Sequence, residues 1–100
     1  MNDYLLLMHN DARQQDPADS APAWDAYLAM LRATGRFDGG SSIGPGLCVN
    51  KSGTAGEIST RLVGYLRVQA EDIVAARALI KGNPVFESGG TVEIRLLPRD

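Results

Sequence analysis

Residues 61–98 constrain this chain more than any other stretch. They run RLVGYLRVQ, then AEDIVAARALIKG, then, after a short break, TVEIRLLP, and read as a strand, a helix and a second strand. In the first strand Leu62, Gly64, Leu66 and Val68 alternate with Val63, Tyr65, Arg67 and Gln69, the period of two that a half-buried strand requires. In the last, Val92, Ile94 and Leu96 alternate with Thr91, Glu93 and Arg95. Between them, Glu71 and Asp72 suit a helix N-terminus, whose dipole favours acids. Ile73, Ala76 and Ile80, with Leu79, mark the buried side of that helix, and Gly82 ends it before Asn83-Pro84. Both strands have one apolar face, which should meet helices. Their mixed faces carry Tyr65, Arg67, Glu93 and Arg95 and need another cover.

The first half repeats the plan. Tyr4 to His9 (YLLLMH) is a short apolar run ended by Asn10-Asp11, as in a buried strand. Being apolar on both faces, it should lie centrally and be covered on both sides. Residues 10–21 (NDARQQDPADSA) are polar and predict a loop with a turn at Asp16-Pro17. Ser20 or Asp19 can cap a helix over Pro22 to Thr34, and Pro22 suits its first turn. Trp24, Tyr27, Leu28 and Leu31 follow at i, i+3, i+4 and i+7 on one face, and Gly35 supplies the stop. That spacing assigns Trp24 and Tyr27 to the core rather than to a ligand platform.

Residues 36–61 carry weaker signals. Arg36-Phe37-Asp38 can begin a second strand, Gly39-Gly40-Ser41-Ser42 and Gly44-Pro45-Gly46 read as flexible punctuation, and Leu47-Cys48-Val49 reads as a short strand before a turn through Asn50 to Gly53. Neither GxGxxG nor GxxxxGK[ST] is present, so a phosphate cradle is not expected.

The order β-α-β-(β)-α-β predicts a ferredoxin-like α+β sandwich, and 100 residues predict one domain. An open, half-apolar sheet face on so small a domain needs covering. Two sheets packed face to face about a two-fold axis would cover it, so the chain is expected to form a homodimer through that face, a dimeric α/β barrel with a cavity between the sheets.

Charge and composition narrow the partners. Ten basic and twelve acidic residues are well mixed, without the basic cluster that phosphate binding needs, so no nucleic-acid partner is expected. The single cysteine, Cys48, rules out a disulfide or Cys cluster within one chain. Leu5 to Met8 is too short and lacks the basic flank of a signal peptide, and nothing reaches membrane-spanning length. The sequon Asn50-Lys51-Ser52 lacks a secretion signal to use it, and the expectation is a cytoplasmic protein with no membrane partner. One histidine with scattered carboxylates is a weak ligand set, so neither metal nor cofactor is expected.

Three segments carry a resemblance over nearly the whole chain: YLLLMHND, APAWDAYLAMLRATGRFDGGSSI and LVGYLRVQAEDIVAARALIKGNPVFESGGTVEIRLLP. Together they resemble the YCII-related family, small dimeric α/β barrels distantly similar to muconolactone isomerases. The larger branch of that family has Asp-Gly-Pro-Phe before its Gly-Tyr strand, where GTAGEISTRLVGY here is shorter and lacks it. Some members carry a His near the start of the first helix and an Asp before a Pro after the second, proposed as acid and base. Those places match Trp24 and Asn83. Trp transfers no proton and Asn does not ionise, so the dyad chemistry does not carry over.

The residues left for chemistry are few. His9 closes the first strand near Asp11, either as an acid/base group at a barrel mouth or as a hydrogen-bonded structural histidine. Tyr65, Arg67, Glu93 and Arg95, with Asp38, either line a cavity for an anionic or oxygen-rich small molecule or form a cross-strand network at a dimer interface. Cys48 has no evident activating partner. Three functions stay open: a small-molecule-binding barrel; an isomerase, lyase or dehalogenase-type enzyme using His9; or a structural module with a filled interior.

Overall fold

The computed structural model describes residues 1–13, 20–53 and 56–99. The elements are β1 (Asn2–His9), α1 (Ala21–Thr34), β2 (Phe37–Ser42), β3 (Leu62–Ala70), α2 (Ile73–Ala78), α3 (Pro84–Glu87) and β4 (Val92–Leu97). The four strands form one antiparallel sheet in the order β2-β3-β1-β4, with the helices on one face. This is the ferredoxin-like α+β arrangement. The expected turn at Asp16-Pro17 and the alternative cap Asp19 lie outside the described residues.

β1 is central, as its apolar run requires. It pairs with β3 from Asn2↔Ala70 to His9↔Leu62 and with β4 from Asp3↔Leu97 to Met8↔Val92. Tyr4, Leu6 and Met8 point to the helices and are buried with Leu66, Val68 and Ala70 of β3. Leu5 and Leu7 point the other way and are only half-buried, so within one chain β1 is covered on one side, not both. From above, α1 lays Tyr27 and Leu31 into the core, with Trp24 and Leu28 packed beside them. Ser20 caps it by accepting from Ala23 N at 3.3 Å, and Gly35 ends it at φ 72°, a left-handed backbone that glycine adopts without strain. Complete burial of Leu6 and Leu31, both 0% exposed, contributes about 1.5–3 kcal/mol each.

Three local expectations are corrected. Gly39-Gly40-Ser41-Ser42 is not punctuation but most of β2, an edge strand that pairs Gly40 with Leu66, Ser41 with Tyr65 and Ser42 with Gly64. The register slips between Phe37 and Gly40, and Gly39 takes up the bulge at φ 89°. Leu47-Cys48-Val49 is not a strand: no strand of the sheet lies beside it, and Leu47 and Val49 are 77% and 82% exposed. The second helix is only six residues, capped by Asp72, because Leu79 N and Ile80 N bond three residues back, to Ala76 O and Arg77 O, and tighten the chain out of α-helix. Ala76 and Ile80 are buried as expected, but Ile73, first in the helix, is 54% exposed. The chain then re-enters helix at α3, whose cap Asn83 accepts from Val85 N at 3.0 Å and Phe86 N at 3.1 Å.

A clasp fastens the end of β1 to the start of β4. Asp11 accepts from Thr91 N at 2.8 Å and from the Thr91 hydroxyl at 2.6 Å, beside the His9 N to Thr91 O bond. Hydrogen bonds from the Thr91 hydroxyl and backbone hold the Asp11 carboxyl below its ordinary 3.8. A carboxyl with a depressed folded pKa stabilises the fold above its unfolded pKa and loses that contribution as pH falls through the folded value. Asp11→Asn should therefore lower the melting temperature near neutrality, and the gap from wild type should close on acidification below the usual carboxylate range. An equal gap at both pH values would show that the charge is irrelevant.

The molecule is flat, 46 × 38 × 18 Å, one sheet and one helical layer thick. Its accessible surface is 6747 Å². A compact monomer of this mass exposes about 5,500 Å².

Candidate functional site

Two surfaces compete for function, one on each side of the sheet. The first is the open face. The register sets Leu5 between Arg67 and Arg95, and Leu7 between Tyr65 and Glu93. Around this apolar spine the charges are paired. Arg67 Nε lies 3.6 Å from Asp38 Oδ2, Arg95 Nη1 lies 3.2 Å from Glu93 Oε2, and Arg99 Nε lies 3.1 Å from Asp3 Oδ2. These pairs are largely solvated and contribute little stability.

His9 is the exception, being 9% exposed. Its Nε2 is 3.0 Å from Glu93 Oε1. The bond from His9, and then that from Arg95, holds the Glu93 carboxyl below its ordinary 4.5, so Glu93 is ionised and can only accept. His9 Nε2 is therefore the donor of this bond. Beside the pair lies a cleft of about 400 Å³ lined by Leu7, Glu93 and the segment 58–62. The structure thus joins His9, Glu93 and Arg95 in one chain of contacts and Arg67 with Asp38 in another, while Tyr65 stands across Leu7 from Glu93. Cys48 is exposed and lies outside the strands. No group of three potential metal ligands occurs among the described residues.

The second surface was not expected. On the helix side, α1 stands off from β2 and β3 and leaves a cleft of about 510 Å³, within the range of small-molecule pockets. Trp24, Leu28, Phe37, Met8, Leu66 and Val85 supply its apolar walls. Gly39, Gly40 and Gly64 line it too. Trp24 meets Tyr27 edge-on, with ring centroids 5.9 Å apart, which fixes the indole at the cleft wall. Arg32 and Tyr65 are the only titratable residues among the described lining. The signal in the sequence was Trp24, Leu28 and Arg32 at i, i+4 and i+8, a helical stripe that passes from apolar to cationic.

The two places matched to the acid/base dyad now have evident roles. Trp24 lines the helix-side cleft, and Asn83 is a buried helix cap. The Tyr27 phenol, raised above 10.0 by burial and partly pulled back by the Asn83 amide, donates to Leu79 O at 2.8 Å.

Together these features define a ferredoxin-like α+β protein with an open sheet face and an apolar cleft beneath its first helix. No protein-family model matches the chain, and no curated protein matches it. Among solved structures it is similar to 5-chloro-2-hydroxyhydroquinone dehydrochlorinase from Burkholderia phenoliruptrix AC1100, in complex with 2,5-dihydroxybenzoquinone. The identity is 14%, the match covers 98% of this chain and 95% of that one, and the TM-score is 0.60. This likeness shows the shared fold. Among the described residues no helix is long and apolar enough to cross a membrane.

Proposed function

We propose that this chain is a small-molecule-binding protein whose ligand occupies the cleft between α1 and the β2–β3 edge, and that two copies pair through their open sheet faces into a dimeric α/β barrel. The cleft carries the reading: about 510 Å³, walled by aromatic and aliphatic side chains, and free among its described residues of Asp, Glu, His, Lys and Cys. Such a lining favours binding over proton transfer. The small quinone held by the structural neighbour is in keeping with that use of the fold. The resemblance to YCII-related proteins agrees with the fold, and Trp24 and Asn83 argue against importing their acid/base chemistry.

The dimer is supported by the flat shape and by the apolar spine of Leu5 and Leu7 within a rim of paired charges. On this reading Tyr65, Arg67, Glu93, Arg95 and Asp38 belong to the seam between sheets.

A thermal-shift panel of small aromatic acids, lactones and hydroxyquinones tests the cleft. A ligand at about 100 times its Kd stabilises the native state by about 2.7 kcal/mol. For a domain of this size that raises Tm by roughly 10–20 °C. Leu28→Trp, which fills the cleft, should abolish the shift; a shift that survives it places the ligand elsewhere.

A second reading has its own observation. The part-buried His9–Glu93 pair beside a polar cleft is arranged as an oriented general base. Turnover of any panel compound that is lost in His9→Asn, with folding intact, would make that pair the reactive site.

A further inference from the structure

We infer that the helix-side cleft takes an apolar molecule bearing one anionic group, a carboxylate or its equivalent, and that Arg32 at the rim holds that group. This rests on reading the cleft as the ligand site and adds the chemistry of what enters it.

The argument begins with where the charges go. Three of the arginines pair with carboxylates on the open face: Arg67 with Asp38, Arg95 with Glu93, Arg99 with Asp3. Arg32 has no ion pair among the described residues. Its guanidinium lies instead 5.6 Å over the Phe37 ring. Both residues line the cleft. Stacking on an aromatic face orients the planar guanidinium and leaves its edge donors free. The result is an oriented cation, without a counter-charge among the described residues, at the mouth of a largely apolar cavity. An aliphatic or aromatic body would bury against Trp24, Leu28, Met8 and Leu66, while a carboxylate at the rim would meet the fork of donors. Such charge-assisted bonds are stronger than neutral ones. A ligand with no anion would leave Arg32 unpaired, and one with several would have to desolvate charge against apolar walls.

Trp24 is the only tryptophan in the chain and lines the cleft, so its emission reports occupancy directly. Cyclohexylacetate and its neutral amide, cyclohexylacetamide, have the same body and do not absorb where tryptophan is excited. Both should change Trp24 emission in wild type, the carboxylate binding more tightly by about tenfold or more, the gain expected of a charge-assisted bond. Arg32→Ala should erase the preference and Arg32→Lys should keep part of it. Arg32 is exposed, so both variants should fold, which their melting curves will show. Equal affinity of the two compounds for wild type, or a preference that survives Arg32→Ala, overturns the anion anchor and leaves the cleft standing as a site. No response of Trp24 to either compound overturns the cleft reading and this inference with it.

Discussion

Replacing Gly40 with alanine should detach β2 and cost the fold at least about 3 kcal/mol, the upper end for overpacking. A Cβ built on Gly40 would lie 2.4 Å from Tyr65 O and 3.0 Å from Leu66 Cα, with Leu66 Cδ2 at 2.7 Å. A flexible side chain could swing away, but here the obstacles include the backbone of the paired strand. Relief requires β2 to separate from β3, and every ladder bond between them goes with it. For a domain of this size the melting temperature should fall by more than roughly 12 °C. Because β2 is one wall of the helix-side cleft, Trp24 emission should shift to that of a more solvated indole. Gly44→Ala is the control, since nothing lies within 4 Å of its added Cβ. A Gly40→Ala protein that melts with wild type would mean that the close β2–β3 approach is not a feature of the molecule in solution.

Leu7→Lys should convert the proposed dimer to monomer. Leu7 lies on the open face between Tyr65 and Glu93, and in one chain it is only half-buried. A lysine there can reach water while the chain is alone, so the single domain should keep its fold. In a face-to-face dimer the same ammonium would be enclosed, and two-fold symmetry would enclose two. Desolvation costs several kcal/mol per ion. The dissociation constant should therefore rise by about a thousandfold or more. Sedimentation equilibrium at micromolar concentration should show dimers for wild type and monomers for Leu7→Lys. Leu47→Lys, at a position already 77% exposed, should leave the assembly unchanged. A wild-type chain that sediments as a monomer would remove the barrel from consideration.

The parts of this fold that were legible in the sequence are those whose side chains repeat. β3 alternates along its length, and Gly64, Leu66 and Val68 of its apolar face are buried toward the helices, whereas Leu62, at the register shift opposite His9, is half-buried and lines the cleft beside the His9–Glu93 pair. The stripe of Trp24, Tyr27, Leu28 and Leu31 with Ser20 and Gly35 at its ends defines α1 almost to the residue. Residues 39–42 were not legible, because glycine and serine carry no pattern; their strand is imposed by β3 alongside. Leu47 to Val49 fails in the opposite way, with strand-like side chains and no neighbour to pair with. The same division separates the two surfaces. Alternation alone puts Tyr65, Arg67, Glu93 and Arg95 on one face. The helix-side cleft is lined in part by Gly39, Gly40 and Gly64, which carry no pattern, and a void has no signature in a string of residues.

The strand order has a consequence for how the protein is made. β1 emerges from the ribosome before the other three strands, yet it lies inside the sheet, and both its neighbours come from after residue 61. Until β3 has been synthesised, YLLLMH has no strand beside it, and its last edge stays bare until β4 follows. Helix α1 can form earlier from its own local bonds, but it too waits for a sheet to pack on. Until β3 and β4 have been made, the nascent chain therefore carries an unpaired apolar strand, the kind of segment that chaperones and aggregation compete for.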